Sequence, residues 1–326
     1  MENWKKVALV GAVSLVTTFG SFTSAFAAPL KTAPAKPIIG VTLMTLTNPY
    51  FSTMAKAFQK YAAANGMRAV VEGANNDEQV TLQQVDGFIE QHVAAIVMAP
   101  PDATAAVSAV LAANRAGIPV FTVDSNVDMK TLAREGGKIV EYVSSNNYLA
   151  GVIAGREMVQ YLHGKGNIGW IDFPTAESVQ LRDAGFSSVL KKYPRIKVVW
   201  RGSGNGSTPG GLTAASEALS GHPDINAFFD INAPCGLGAV DAIKAAHDVG
   251  KVAVIGLSGS QAAVKEIANN QVYKFGAMQE PSLEAKTEVQ NIKKYLHHGK
   301  IPVQVQTAII KITKQNAHEY FNVAYH

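Results

Sequence analysis

The chain has a single cysteine, Cys235, among its 326 residues. One thiol excludes an intrachain disulfide, so stability must rest on buried apolar surface. Cys235 follows Pro234 at a predicted helix start, where a thiolate is favoured. A buried structural thiol is the preferred reading, because cysteine is among the most buried residue types. No cysteine stands near Ala27, which excludes a lipid anchor there. Blocks of basic residues and basic stripes interleaved with aromatics are also missing, and the formal charge is only +4. Nucleic acid is therefore not an expected partner. Beyond Phe19 no stretch is long and uncharged enough to span a bilayer, and no repeat of solenoid period occurs.

What is present starts with a leader. Lys5 and Lys6 precede an apolar run from Val7 to Phe19, and small residues follow up to Ala25-Phe26-Ala27. Basic, apolar, then A-x-A is the order of a secretory signal peptide over residues 1–27, with cleavage expected between Ala27 and Ala28. The expected location is a bacterial periplasm. Residues 28–37, rich in Pro, Ala and Lys, read as a flexible leader with too little apolar content to pack.

From Ile38 onward short apolar runs alternate with amphipathic stretches. Strands are predicted at Ile38–Met44, Arg68–Glu72, Ala95–Met98, Val120–Val123, Val140–Ser145, Ile168–Phe173, Lys197–Trp200, Ala227–Ile231, Val252–Leu257 and Tyr273–Gln279, with a late one at Thr307–Thr313. Helices are predicted at Phe51–Asn65, Glu78–His92, Ala103–Ala116, Gly151–His163, Ser178–Lys192, Gly211–Ser220, Ala239–Ala246 and Gln261–Asn269. Asp128–Lys138, rich in Gly and charge, reads as a loop. Gly66, Gly117, Gly164 and Gly250 fall where left-handed helix caps are needed. Continuous apolar strands between helices mean βαβ units and buried parallel sheets. So many strands would strain one open sheet, so the expected fold is α/β with two doubly wound parallel-sheet lobes.

In such sheets a ligand sits beyond the carboxyl ends of the strands. Those ends carry Asn48-Pro49-Tyr50-Phe51, Asp124-Ser125-Asn126, Phe173 with Arg182 on the next helix, Asn232, Ser258 and Gln279. Amides, hydroxyls, one carboxylate, one guanidinium and aromatics converge there as a hydrogen-bonding cage. Aromatic faces beside an amide suit a ligand with C–H faces and hydroxyl edges, as in a sugar or polyol. Two plainer readings compete. Tyr50 and Phe51 would staple a helix start, and Asp124 with Arg182 would form an interlobe or local ion pair.

No enzyme is expected. Gly164-Lys165-Gly166-Asn167-Ile168-Gly169 matches G-x-G-x-x-G but precedes a strand, so it reads as a turn. Gly256-Leu257-Ser258-Gly259-Ser260 lacks the last glycine of a nucleophile elbow, and no histidine stands at a predicted strand end. His297-His298 has no carboxylate or cysteine partners, so neither a metal nor a cofactor is expected.

The chain resembles the substrate-binding proteins of bacterial ABC importers, in the periplasmic ribose-binding and related-sugar family (type I periplasmic binding proteins). The resemblance covers nearly all of the chain after the leader. It rests on Asn48-Pro49-Tyr50-Phe51, Val120–Asp124, Ser145-Asn146-Asn147, Arg182-Asp183-Ala184-Gly185-Phe186, Asn232 with Leu237-Gly238-Ala239, Val254-Ile255-Gly256, and Gln279 before Pro281. It implies two lobes joined by a three-segment hinge that close over one sugar. The N-terminal lobe would be 38–144 with 280–307, and the C-terminal lobe 145–279 with 308–326. Asn48, Asp124, Arg182, Asn232 and Gln279 would hydrogen-bond the ligand, and Tyr50, Phe51 and Phe173 would sandwich its ring. Ser125 stands where ribose binders have an arginine, Ser258 where they have an aspartate, and Met44 where they have a small polar residue. A linear polyol, a deoxy-sugar, a furanose or another neutral polar ligand is thus expected in preference to ribose. The implied partners are a small sugar or polyol and a membrane ABC permease. A chemoreceptor or sensor kinase reading a furanosyl signal is the alternative. A LacI-type repressor effector domain shares the fold and Arg-x-x-Gly-Phe, but the leader and the absence of a helix-turn-helix oppose it.

Overall fold

The computed structural model describes residues 36–325, so the predicted signal peptide and most of the 28–37 leader lie outside the described residues. The first lobe contains β1 (Ile38–Leu43), α1 (Pro49–Ala64), β2 (Arg68–Gly73), α2 (Glu78–Glu90), β3 (Ala95–Met98), α3 (Val107–Arg115), β4 (Val120–Val123), α4 (Met129–Arg134) and β5 (Glu141–Ser145). The second lobe contains α5 (Asn147–Tyr161), β6 (Gly166–Asp172), α6 (Glu177–Leu190), β7 (Ile196–Ser203), α7 (Thr208–Gly221), β8 (Ala227–Asp230), α8 (Ala233–Ala245), β9 (Ala253–Gly256), α9 (Gln261–Asn269) and β10 (Tyr273–Met278). Then α10 (Pro281–Leu296) packs on α1, β11 (Gln304–Thr307) joins the first sheet, and β12 (Ile310–Thr313) and α11 (Ala317–Tyr320) rejoin the second lobe.

The sheets run β2-β1-β3-β4-β5-β11 and β7-β6-β8-β9-β10-β12. All pairings are parallel except β12 against β10. Strand order reverses beside β1 in one sheet and beside β6 in the other, which places the two switch points that attract ligands in doubly wound folds. The chain crosses between the sheets three times, after β5, after β10, and between β11 and β12. The central strands β3, β4, β8 and β9 are buried along their whole length, as continuous apolar runs require, whereas β2, β7 and β11 at or next to the edges are partly exposed.

Several boundaries differ from the periodicity, each for a local reason. Asp128–Lys138 is not all loop: Asp128 accepts from the Thr131 amide at 2.9 Å and caps α4. Asn146 and Asn232 cap α5 and α8 in the same way, so these helices begin before the predicted Gly151 and Ala239. Residues 103–106 form turns held by the Asp102 carboxylate, which accepts from the Thr104 and Ala105 amides at 2.9 Å. The predicted strand Thr307–Thr313 is two strands in different sheets, because the chain crosses at residues 308–309. Gly66 and Gly117 are left-handed helix ends as expected, but His247, with φ of 58°, ends α8 in place of Gly250.

Helices α5 and α6 meet through glycines. A Cβ at Gly185 would strike the Tyr148 carbonyl, and one at Gly151 the Arg182 carbonyl. Gly185→Ala is therefore expected to part the helices and lower unfolding stability by about 1–3 kcal/mol, measured by urea denaturation. Unchanged stability would mean that the helices do not pack this closely.

Candidate functional site

The carboxyl ends of both sheets face a common cavity. After β1 come Met44, Asn48, Tyr50 and Phe51, and after β4 comes Asp124. The second lobe supplies Phe173 after β6, Ser178, Val179 and Arg182 on α6, Ile231, Asn232 and Ala233 after β8, Gln279 after β10, and Tyr325. The walls are drawn close, with a cavity volume of about 30 Å³, room for a water or two. A wider groove of about 620 Å³, lined by residues such as His163, Lys192 and Tyr193, opens at the amino ends of β6 and β7. That is the wrong end of the strands for the usual ligand position.

Arg182 is the centre of the polar wall. It is buried, and its Nε donates to Asn147 Oδ1 at 2.8 Å, Nη1 to the Ile231 carbonyl at 2.9 Å and Nη2 to Gln279 Oε1 at 3.1 Å. Nη2 also lies 3.5 Å from Asp124 Oδ1, which accepts from Gln279 Nε2 at 3.3 Å. The interlobe ion pair weighed as an alternative thus exists, inside the same cavity. Burial pushes the Asp124 carboxyl up, while the Arg182 guanidinium and the Gln279 amide pull it back. Asp124 has φ of 59°, a left-handed turn that Asp tolerates better than most residues. This turn ends β4 abruptly at the cleft.

The two cleft asparagines are also helix caps. Asn48 Oδ1 accepts from the Tyr50 amide at 3.0 Å, and Asn232 Oδ1 from the Cys235 amide at 3.0 Å. Asn232 Nδ2 donates to the Gly206 carbonyl at 3.2 Å, so both ends of that side chain are engaged. The Tyr50 hydroxyl donates to Glu284 Oε2 at 2.7 Å, and its ring stands edge-on to Phe51, with centroids 5.0 Å apart. Phe173 lines the opposite side and is half-buried.

Of the ten residues singled out from the sequence, eight line the cavity: Asn48, Tyr50, Phe51, Asp124, Phe173, Arg182, Asn232 and Gln279. Ser125 and Ser258 do not. The turn at Asp124 sends Ser125 Oγ towards the other lobe, where it accepts from the Ser178 amide at 3.3 Å. Ser258 is fully buried against β10, with its Cβ close to Gly276. For Cys235 the structure bears out the preferred buried thiol over the thiolate. The side chain is buried on the first turn of α8, Sγ lies 3.6 Å from the Gly204 carbonyl, and burial pushes the thiol up.

Sequence reasoning missed Ser178, Tyr325 and Glu284. Glu284 is buried and accepts from Tyr50, from Ser145 Oγ and from Thr307 Oγ1, tying the cleft to two of the three crossing segments. Its signal was an acidic residue on the apolar face of α10, beside buried Ala285. Among the described residues there is no cluster of three metal-ligating side chains, and no helix is long and apolar enough to cross a membrane.

Residues 39–300 match the sequence profile of the periplasmic binding protein domain. The ribose import binding protein of Bacillus subtilis is 29% identical over 97% of this chain and 100% of its own length. The D-ribose/D-allose-binding protein of Pseudomonas aeruginosa is 33% identical, over 80% of this chain and 82% of its own. The crystal structure of an ABC transporter periplasmic solute binding protein from Actinobacillus succinogenes with bound D-allose superimposes with a TM-score of 0.79 at 27% identity, covering 87% of this chain and 100% of that one. With a domain profile matched over most of its length and the two-lobed fold in common, the chain belongs to the periplasmic binding protein domain family.

Proposed function

We propose that the chain captures a small neutral carbohydrate, a sugar or sugar alcohol, between its lobes and delivers it to a membrane ABC permease from the periplasm. The observation that carries this reading is the make-up of the cavity. One carboxylate and one guanidinium cancel in formal charge, amides supply donors and acceptors, and four aromatic residues, Tyr50, Phe51, Phe173 and Tyr325, supply faces for C–H groups. The names of the relatives, a ribose importer component and a D-ribose/D-allose binder, agree with that chemistry. Asp124, Arg182 and Gln279 are the hydrogen-bonding core of the site, with Asn48 and Asn232 at its edges. Asn232 keeps a second N–H and a second lone pair for a ligand beside its two present bonds.

Capture works by closure of the lobes, taken as 38–144 with 280–307 and 145–279 with 308–326. Closure is supported by hydrogen bonds between them: the Ala103 amide to the Thr175 carbonyl at 3.0 Å, Thr175 Oγ1 to the Pro101 carbonyl at 2.8 Å, and Asn76 Nδ2 to the Asn205 carbonyl at 3.0 Å. A sugar ring needs more room than this narrow cavity, so it enters a more open form and its contacts with both lobes favour closing. A thermal-shift screen of residues 28–326 against D-ribose, D-allose, pentitols and amino acids tests the reading. A carbohydrate at 100 times its Kd is expected to add about 2.7 kcal/mol of stability. Stabilisation by amino acids alone would overturn it.

A further inference from the structure

The wall that closes this cavity from the second lobe includes a residue with no counterpart in the strand-end set. Beyond α11 the chain turns back over the loop between β9 and α9. The Tyr325 amide donates to the Gly259 carbonyl at 3.2 Å, and the Gln261 amide donates to the Tyr325 carbonyl at 2.9 Å. Tyr325 thereby forms a parallel bridge with Ser260. The loop is shaped for the ring, since a Cβ at Gly259 would lie 2.8 Å from Tyr325 Cε1. These bonds seat the side chain over the cleft with only 7% of the residue exposed. Its ring meets that of Tyr50 edge-on, centroids 5.6 Å apart and planes at 81°. The second lobe's last described segment thus touches α1 of the first lobe across the cleft.

The hydroxyl is the informative atom. The other buried tyrosines near the cleft have theirs engaged: Tyr50 donates to Glu284, Tyr142 lies 2.8 Å from Glu177 Oε2, and Tyr273 donates to Asp230. The Tyr325 hydroxyl makes no hydrogen bond with any described residue, although its side chain lines the cavity beside Asn48, Arg182 and Gln279. Burial keeps this phenol neutral, so it remains both a donor and an acceptor. On the cavity wall it is placed to bond a ligand hydroxyl.

We propose that Tyr325 is a ligand-contacting residue of the cleft whose hydroxyl bonds a hydroxyl of the bound carbohydrate and whose ring limits ligand size. The inference rests on the carbohydrate reading of the same cavity. Removing only the hydroxyl strips the contact and keeps the packing on Tyr50 and Gly259. Removing the ring enlarges the cavity on this wall.

The test is titration calorimetry of D-ribose and D-allose into the wild-type protein, Tyr325→Phe and Tyr325→Ala, with unliganded thermal midpoints as a folding control. Tyr325→Phe is expected to weaken the better ligand about tenfold without moving the midpoint by more than a few degrees. Tyr325→Ala is expected to shift the ratio of the two Kd values towards the larger hexose. Wild-type affinities in Tyr325→Phe, together with a wild-type ratio in Tyr325→Ala, would overturn this inference alone. Should Tyr325→Ala not fold, unchanged affinity in Tyr325→Phe overturns it. If the wild-type protein gives no heat with either sugar or with a pentitol, the carbohydrate reading falls and this inference with it.

Discussion

Arg182→Ala is expected to weaken ligand binding by about 3–5 kcal/mol, enough to abolish detectable heat in a calorimetric titration. The reason is the number of groups that depend on it. Asn147, the Ile231 carbonyl, Gln279 and Asp124 all present acceptor oxygens to one buried guanidinium. Alanine leaves those oxygens without their donor and leaves the Asp124 carboxylate buried without its cationic partner. Removing one partner of a buried pair costs more than the pair itself contributes. Arg182→Lys should recover little, because a single ammonium cannot serve acceptors arranged around a planar fork. Wild-type affinity in Arg182→Ala would place the ligand elsewhere. Thermal midpoints of the unliganded variant separate lost binding from lost folding.

The second large effect is expected away from the ligand, on the buried acidic face of α10. Glu284 and Glu288 are fully buried, and both carboxylate oxygens of Glu288 have no hydrogen-bond partner among the described residues. Burial, then the nearby Asp124 carboxylate, pushes Glu284 up to about 8. Burial, then Glu141 and Glu284, pushes Glu288 well above the usual carboxylate range. Glu141, held by Asn291, is pushed up to about 7. In the unfolded chain such groups ionise near 4.3. The folded state therefore holds more protons than the unfolded state between these values. The stabilisation is fully present below the unfolded pKa and is lost as pH rises through the folded ones. Unfolding free energy is expected to fall by several kcal/mol between roughly pH 5 and pH 8, measured by urea denaturation. Glu78, pushed to about 8, and Asp183, pushed to about 7, act in the same direction.

Glu288→Met removes a carboxyl with no hydrogen-bond partner among the described residues and fills the same space with apolar atoms. It is expected to raise stability at pH 8 by about 1–4 kcal/mol, and by less at pH 5, where taking up the proton on folding costs less. A loss of stability at both pH values would show that Glu288 has a partner in solution.

The strand-end residues were legible because periodicity determines where a buried strand stops. Ala95–Met98, Val120–Val123 and the helix Gln261–Asn269 stand at their predicted bounds, since a continuous apolar run has nowhere to go but the interior of a sheet. Once the strands were located, the carboxyl ends of β1, β4, β6 and β10 named Asn48, Asp124, Phe173 and Gln279, and all four line the cavity. Helix starts were less legible. Asn146 and Asn232 cap their helices, but Gly and Pro in the following turns masked the apolar period on which those boundaries were drawn.

The sequence by itself determined the two sheets, the order of their strands along the chain, and which side chains hang from the strand ends. Only the tertiary structure decided which way those side chains face and what arrives from elsewhere. Ser125 and Ser258 occupy strand-end positions as good as any, yet a left-handed turn at Asp124 aims one at Ser178, and packing against β10 buries the other. Tyr325 and Glu284 lie far along the chain from Tyr50 and touch it through the return of α10 and of the last segment. Burial patterns in a sequence report how far a residue lies from water. The direction of a side chain is set by turn geometry and by partners brought in by later crossings, and neither leaves a periodic trace.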